Sequence, residues 1–292
     1  MNILISSDKK YLDKYCVMLN SLKRNANDEI NVFFLNYRVG KEDMNAFSER
    51  LQKEFRMHFF EIDVKNIAFG NYPIGYHLSV ETYFRILAQF LLPHELDRVL
   101  WLDGDIIILK EISDFYSQSF DGMKYVVCEE RINNTEQGKE LKKKLGLPKE
   151  HVYFNAGVML MNLESLRKET NAEALMRECF KLKDKVEWFD QDILNILYAN
   201  QLKYDDYYKY NYQIRYDNTI PKDRLKDIHI LHYNAEKKPW DYDVINEASL
   251  IYWKAKSRCG KKDKSVCKKT FKGKILETIR ELTIYVKGYF SI

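Results

Sequence analysis

Proline and glycine are scarce, with five prolines and eleven glycines in 292 residues. That scarcity excludes a collagen-like or low-complexity chain, and most of the length is expected to be regular structure. No glycine-rich loop follows a strand, so neither the dinucleotide fingerprint nor the P-loop is present. No apolar run approaches the roughly 18 residues that a transmembrane helix requires. The chain opens directly into Asn2-Ile3-Leu4-Ile5, without a basic stretch or an apolar run of signal length, so no leader is expected. The five cysteines are odd in number, widely spread and without metal-type spacing. They are expected to be reduced thiols of a cytoplasmic protein. No period of 20 to 50 residues repeats.

What is present is a large apolar fraction, 46%, with 14% aromatic residues including 21 tyrosines. The length suits one large α/β domain or two small ones. Most tyrosines are expected at core edges, while amphipathic rings in such number also suit a surface that handles sugars or bases. The net charge of +4 is uneven. Residues 254–292 hold twelve Lys/Arg against Asp263, Glu277 and Glu281, which leaves residues 1–253 acidic overall. We therefore expect one domain, 1–253, and a basic tail, 254–292.

The informative stretch is Arg98-Val99-Leu100-Trp101-Leu102-Asp103-Gly104-Asp105-Ile106-Ile107-Ile108. Four apolar residues running into two carboxylates read as a buried strand that ends at a charged edge. Asp103 and Asp105 project to the same side of an extended backbone, and Gly104 between them permits close approach. Two converging carboxylates call for a cation, and hard oxygen ligands suit Mg or Mn. An Asp-x-Asp triplet alone is often solvated loop charge in a chain that is 31% charged. Its place after a buried strand favours the ligand reading, because open α/β sheets bind ligands beyond the carboxyl ends of strands.

Ile3 to Ile5 forms a short strand running into Ser6, Ser7 and Asp8, and a helix follows with Tyr11, Cys16, Leu19 and Leu22 near helical spacing. Asp8 and Tyr11 suit a base held by hydrogen bond and stacking, although Asp8 reads equally well as a helix N-cap. Strands over 30–35 and 57–62, with a helix around Met44, Phe47 and Leu51 between them, complete βαβαβ and predict a largely parallel sheet. A helix over 79–92 stops at Pro93, with Arg85 off its apolar stripe where an exposed charge is the ordinary expectation. A strand over 124–128 leads to Glu129 and Glu130, and the charged stretch 131–150 reads as a long loop able to cover a site. Asn155-Ala156-Gly157 opens a buried strand at a place of close backbone approach. Asp190-Gln191-Asp192 opens an apolar helix, where the helix dipole alone accounts for carboxylates. His232 ends a strand with alternating histidines, and Lys237, Lys238 and Trp240 follow, offering a nitrogen ligand and a cation for a diphosphate.

Taken together, six of these stretches resemble the retaining glycosyltransferases of family 8, which include bacterial lipooligosaccharide galactosyltransferases and glycogenin. They are Ile3 to Tyr11; His77-Leu78-Ser79 with Thr82-Tyr83-Phe84-Arg85; Leu100 to Asp105; Tyr153 to Val158; Asp190 to Asn195; and His232-Tyr233 with Lys238-Pro239-Trp240. They span about residues 1–245 in the family's order. The resemblance implies a GT-A fold, an α/β domain whose mostly parallel central sheet is flanked by helices. It implies a UDP-hexose donor, a saccharide or glycolipid acceptor, and Mn, or Mg, held by Asp103, Asp105 and His232. The implied nucleotide-sugar set is Ser6, Asp8, Tyr11, Arg85, Asp103, Gly104, Asp105, Asn155, Ala156, Asp190, Gln191 and Lys238. Within it Asp8 and Tyr11 would hold uracil, and Arg85, Asn155, Asp190 and Gln191 the sugar hydroxyls. Gln191 and Asp190 carry the implied catalytic roles. An amide is a poor nucleophile, so a same-face displacement is expected, with Asp190 as the alternative nucleophile. The chain departs from the pattern at Ala235, where the family has glycine, and at Glu129-Glu130, where relatives place an Asp.

The tail ends in an amphipathic, aromatic-tipped segment (Ile275, Ile279, Leu282, Val286, Tyr289, Phe290) after a run of lysines, which reads as a peripheral anchor on an anionic membrane. A solvated terminal helix packed on the body is the plainer option. Nucleic acid is not expected as a partner, because no binding module accompanies the charge. Two other classes stay open at this point. An aspartate-based phosphohydrolase would use Asp103 as nucleophile, and a non-catalytic nucleotide-sugar or membrane-surface module would use the same residues only to bind.

Overall fold

The apolar runs become strands in the expected order, and where the chain turns back between them decides where a ligand can sit. In the computed structural model, residues 1–65, 80–168, 171–214, 220, 222–241 and 246–260, with Lys272 and Ile275, are described. β1 (Asn2–Ile5) pairs in parallel with β2 (Asn31–Asn36), and β2 with β3 (His58–Asp63). The chain then returns to place β4 (Arg98–Leu102) parallel to β1 on its other side. β5 (Ile106–Ile108) leaves that sheet. β6 (Tyr125–Glu129) and β7 (Phe154–Asn162) pair antiparallel, β7 lies antiparallel to β4, and β8 (Leu202–Asp205) runs parallel to β6. The sheet order is therefore β3-β2-β1-β4-β7-β6-β8. The expectation of a mostly parallel sheet holds, with β7 reversed.

Alternation along β1 sends Ile3 and Ile5 to one core and Leu4 to the other. On the first side pack α1 (Leu12–Asn25), α2 (Lys41–Glu49) and α11 (Glu247–Ser257). On the second pack α3 (Val80–Leu91), α6 (Leu163–Arg167), α7 (Ala172–Leu182) and α8 (Phe189–Leu197). A second sheet, ordered β5-β10-β9, is built from β5, β9 (Tyr212–Gln213) and β10 (Ile230–His232). Shorter helices α4 (Ser113–Tyr116), α9 (Tyr207–Tyr210) and α10 (Lys222–Leu225) connect these parts.

One expectation is corrected here. The stretch 131–150 is not a long loop, because α5 (Glu136–Leu145) occupies it, capped by the Thr135 hydroxyl and closed by Gly146 in the left-handed region at φ 69°. Leu141 and Leu145 are buried one turn apart, and Lys142 is buried with its ammonium on the carbonyls of Lys149 and His151. Gly138 is required in this helix, since a Cβ there would lie 2.1 Å from the Ile132 carbonyl oxygen.

The boundary expected after residue 253 falls inside α11, where Tyr252 and Trp253 are buried. Beyond it Cys259 is also buried, taking an Arg50 guanidinium contact. The expected anchor lies outside the described residues apart from Lys272 and Ile275, as do His77, Leu78 and Ser79. Among the described residues no helix is long and apolar enough to cross a membrane.

Candidate functional site

The large sheet reverses its winding between β1 and β4, and at such a switch point the two outgoing loops part and leave a crevice. Ser6 to Tyr11 leave one strand there and Asp103 to Asp105 the other. Asp105 and His232 are brought side by side by the small sheet, in which Ile106 pairs with His232 and the Tyr233 amide donates to the Asp105 carbonyl at 2.9 Å. Ligand atoms of Asp103, Asp105 and His232 all lie within 4.8 Å of one another. Gly157 closes the cradle, since a Cβ there would stand 2.3 Å from His232 Cε1 and 2.9 Å from Asp103 Oδ2.

A hydrogen-bond chain settles which nitrogen of His232 faces the carboxylates. The Gly157 amide donates to Asn155 Oδ1 at 3.0 Å, so that atom is the oxygen, and Asn211 must present its NH2 to it at 2.9 Å. Asn211 Oδ1 then faces His232 Nδ1 at 2.9 Å, which makes Nδ1 the protonated nitrogen. Neutral His232 thereby aims an Nε2 lone pair at Asp105 Oδ1, 3.2 Å away. A lone pair facing a carboxylate is relieved by a cation between them, and two carboxylates with one imidazole suit a divalent ion. The donor set fits.

Asp105 also takes the Lys238 ammonium at 2.8 Å. Burial works to raise its pKa, but Lys238 and the His232 ring beside it outweigh this and hold it well below the usual carboxylate range. Ala235 does not prevent Lys238 from reaching the carboxylate, and the ammonium is further fixed by the Tyr233 carbonyl at 2.8 Å.

Arg85 is not the exposed helix charge its position off the stripe suggests. Its guanidinium is inside the site, 2.7 Å from Asp190 Oδ2 and 3.2 Å from Asp103 Oδ1, donating to the Ala156 carbonyl and lying over the Trp101 ring. Trp101 Nε1 holds the same Asp103 oxygen at 2.8 Å. Burial pushes the Asp190 pKa up to about 6, with Arg85 opposing. Gln191 Oε1 accepts from the Ala156 amide at 2.9 Å and from Asn155 at 3.2 Å. Asn155 also donates to Glu130 Oε2 at 2.8 Å, so its hydrogen-bonding capacity is taken up by protein. The start of α8 is pinned to β7 by Asn195, whose amide brackets both backbone groups of Phe154.

Asp8 performs the capping role, accepting from the amides of Lys10 and Tyr11. It still borders a cavity of about 330 Å3 with Ser6, Tyr11, Arg38, Glu81 and Gly104. The Ser6 hydroxyl donates to the Leu35 carbonyl. Tyr11 is half exposed against the edge of Trp240, with centroids 5.9 Å apart. The space at Gly104 is taken by Tyr15 and Tyr11. An adjoining cavity of about 450 Å3 holds Asn155, Ala156, Asp190, Gln191, His232 and Lys238. The two share Arg85, Asp103 and Asp105. Every site residue expected from the sequence borders one of them. Sequence reasoning missed Asn211, a lone amide with no periodic or motif signal, and Glu130 as the partner of Asn155.

Residues 2–244 match the family profile described as glycosyl transferase family 8. The glycosyltransferase GlyF of Streptococcus pneumoniae is 25% identical over 86% of this chain, which spans 60% of that protein's length. GlyE of the same organism is 26% identical, and the chain spans 59% of its length. The lipopolysaccharide glucosyltransferase WaaO of Escherichia coli is 25% identical over 99% of this chain and 88% of its own. The galactosyltransferase LgtC, solved with donor and acceptor sugar analogues, shares the fold at a TM-score of 0.75 with 21% identity, covering 92% of this chain and 100% of that one.

Proposed function

Because the chain belongs to glycosyltransferase family 8, we propose that it moves galactose or glucose from a UDP-sugar to a saccharide or glycolipid acceptor, with retention at the anomeric carbon. The acceptor class is that of lipopolysaccharide or another cell-surface glycan, at the cytoplasmic face of the membrane, with the basic tail 254–292 as the peripheral attachment. Convergence of Asp103, Asp105 and His232 beside Lys238 carries this reading, because a diphosphate leaving group needs cations gathered at one point.

Mn, or Mg in its place, held by Asp103, Asp105 and His232 would supply Lewis-acid neutralisation of the charge growing on the diphosphate. Lys238 adds a fixed ammonium to the same group. Asp8 and Tyr11 hold the uracil, Tyr11 by its ring face. Arg85 and Asp190 grip the hexose hydroxyls through charge-assisted hydrogen bonds and so select the epimer. Gln191 lies beneath the reacting carbon. Its oxygen is already engaged by two donors, which lowers a nucleophilicity that is poor in any amide. We therefore favour same-face displacement over a covalent intermediate. The bond from the anomeric carbon to the phosphate oxygen breaks, the acceptor oxygen bonds to that carbon on the same face, and its proton passes to the departing phosphate.

Calorimetric titration of UDP, with and without Mn, on wild type and Asp105→Ala tests the reading. We expect Mn-dependent binding that the substitution weakens at least a hundredfold, and then turnover of one UDP-hexose in a hydrolysis screen. Wild type that binds no UDP at any Mn concentration would overturn it.

A further inference from the structure

A third cavity, of about 390 Å3, opens at the far end of β5 from Asp105, between α1 and α11. The sugar-transfer reading touches it only through Lys254 and Arg258, which begin the basic segment assigned to membrane attachment. Four exposed cations stand around it, Arg24 on α1, Lys110 after β5, and Lys254 and Arg258 at the end of α11, and no carboxylate lines it. Arg258 follows Lys254 by one helical turn, so the two project from the same face. Among the described residues none of these four forms an ion pair, and like charges so gathered repel unless an anion joins them.

Asn20, one turn before Arg24, forms part of the wall. It is 9% exposed, and among the described residues its side chain has no hydrogen-bond partner. With no protein partner to displace, that amide is free to bond a ligand oxygen. Ile107, Ile108, Leu225 and Ile251 supply its apolar wall, and the Ser21 and Asn25 side chains that also line it are bonded to backbone groups of the protein. Residues 261–292 carry nine Lys/Arg against three Asp/Glu, the same sign as the rim, so they are a poor occupant.

We propose that this cavity binds a phosphate ester bearing an apolar group. The phosphate oxygens lie among Arg24, Lys254, Arg258 and the Asn20 amide, and the apolar part lies on the isoleucines. An anionic phospholipid headgroup and a soluble phosphate ester share this chemistry. The site is separate from the sugar-nucleotide crevice and does not depend on the transfer reaction.

The test uses the full chain, sedimented with phosphatidylcholine vesicles with or without phosphatidylglycerol and, separately, titrated with glycerol 3-phosphate. Arg24→Ala/Lys254→Ala removes two rim charges, and Ile251→Trp fills the cavity while keeping every charge. Circular dichroism and Mn-dependent UDP binding check that both variants fold. Binding to phosphatidylglycerol vesicles that falls at least tenfold in both variants supports the site with lipid as its source. Glycerol 3-phosphate binding that disappears in both, with vesicle binding unchanged, supports it with a soluble ester as source. The proposal is overturned if Ile251→Trp binds vesicles like wild type and wild type does not bind glycerol 3-phosphate, since the face is then merely cationic. It is equally overturned if wild type binds neither.

Discussion

At His232 the choice of ring nitrogen is made by Asn211, buried at 0% exposure and itself oriented from the Gly157 amide through Asn155. Groups that orient a metal-binding histidine typically change metal affinity 10–100-fold when removed. Asn211→Leu is therefore expected to weaken Mn-dependent UDP binding by about that factor, with the His232 tautomer equilibrium shifted in nitrogen NMR; unchanged affinity and tautomer would show that Asn211 only packs. Gly157→Ala should be more severe, because its Cβ would displace the His232 ring, and the same titration should find metal-dependent binding abolished. Asp190 gives a pH signature. Burial raises its native pKa to about 6 from the ordinary aspartate value of 3.8, so between these the native state holds a proton that the unfolded chain has released. Its contribution to stability is full below about pH 4 and is lost as pH rises through about 6. Asp190→Asn should thus compare better with wild type in melting temperature at pH 7.5 than at pH 4.5, and a constant difference would refute the shift. In the sequence both Asp190 and Arg85 entered the site only through resemblance, because the helix dipole alone accounts for an acid at a helix start and a guanidinium lodged in a cavity and one in solvent have the same helical spacing.

Among the elements, α8 decides where Asp190 and Gln191 stand. Phe189, its first residue, has φ 50°, a left-handed backbone on a bulky side chain, immediately before Asp190 and Gln191. The turn is held there by Asp192, which is fully buried and takes the amides of Glu187 and Trp188 as well as the Tyr153 hydroxyl. Helix-dipole reasoning explained an acid in this turn but not its burial, which depends on a strand distant in sequence. Losing three hydrogen bonds to a buried carboxylate costs about 3 kcal/mol or more. Urea unfolding of Asp192→Ala should show that loss at unchanged m-value, and a loss below about 1 kcal/mol would mean the turn holds itself. Helix α5 shows the opposite kind of illegibility. Leu141 and Leu145 are too sparse an apolar pattern among lysines to announce a helix, and Gly138 argues against one until Ile132 is seen behind it.

For the whole molecule, most strands of the large sheet were readable because they are largely apolar runs, β8 (Leu202–Asp205) excepted, and Asp103-Gly104-Asp105 marked the carboxyl end of the strand that matters. The small sheet was not readable as a sheet, since β5 and β9 are three and two residues long and pair only through long-range contacts. The cysteines follow the layers: Cys16, Cys128, Cys179 and Cys259 are free and buried, and burial pushes Cys16 and Cys179 up to about 12. Native protein should leave these four unalkylated by iodoacetamide at pH 8 while unfolded protein reacts fully, as mass spectrometry of the peptides would show. The division into two sheets has a mechanical consequence. Asp103 hangs from the large sheet, whereas His232 belongs to the small one, so an ion gripped by both would act as a rivet through two plates. Stripping it should unfasten the small plate, and hydrogen exchange at Ile106–Ile108 and Ile230–His232 should quicken on chelation while β1 and β2 stay silent. A site built this way reports its own loading as stiffness, while Lys238, carried just past β10, travels with the small plate through its 2.8 Å grip on Asp105.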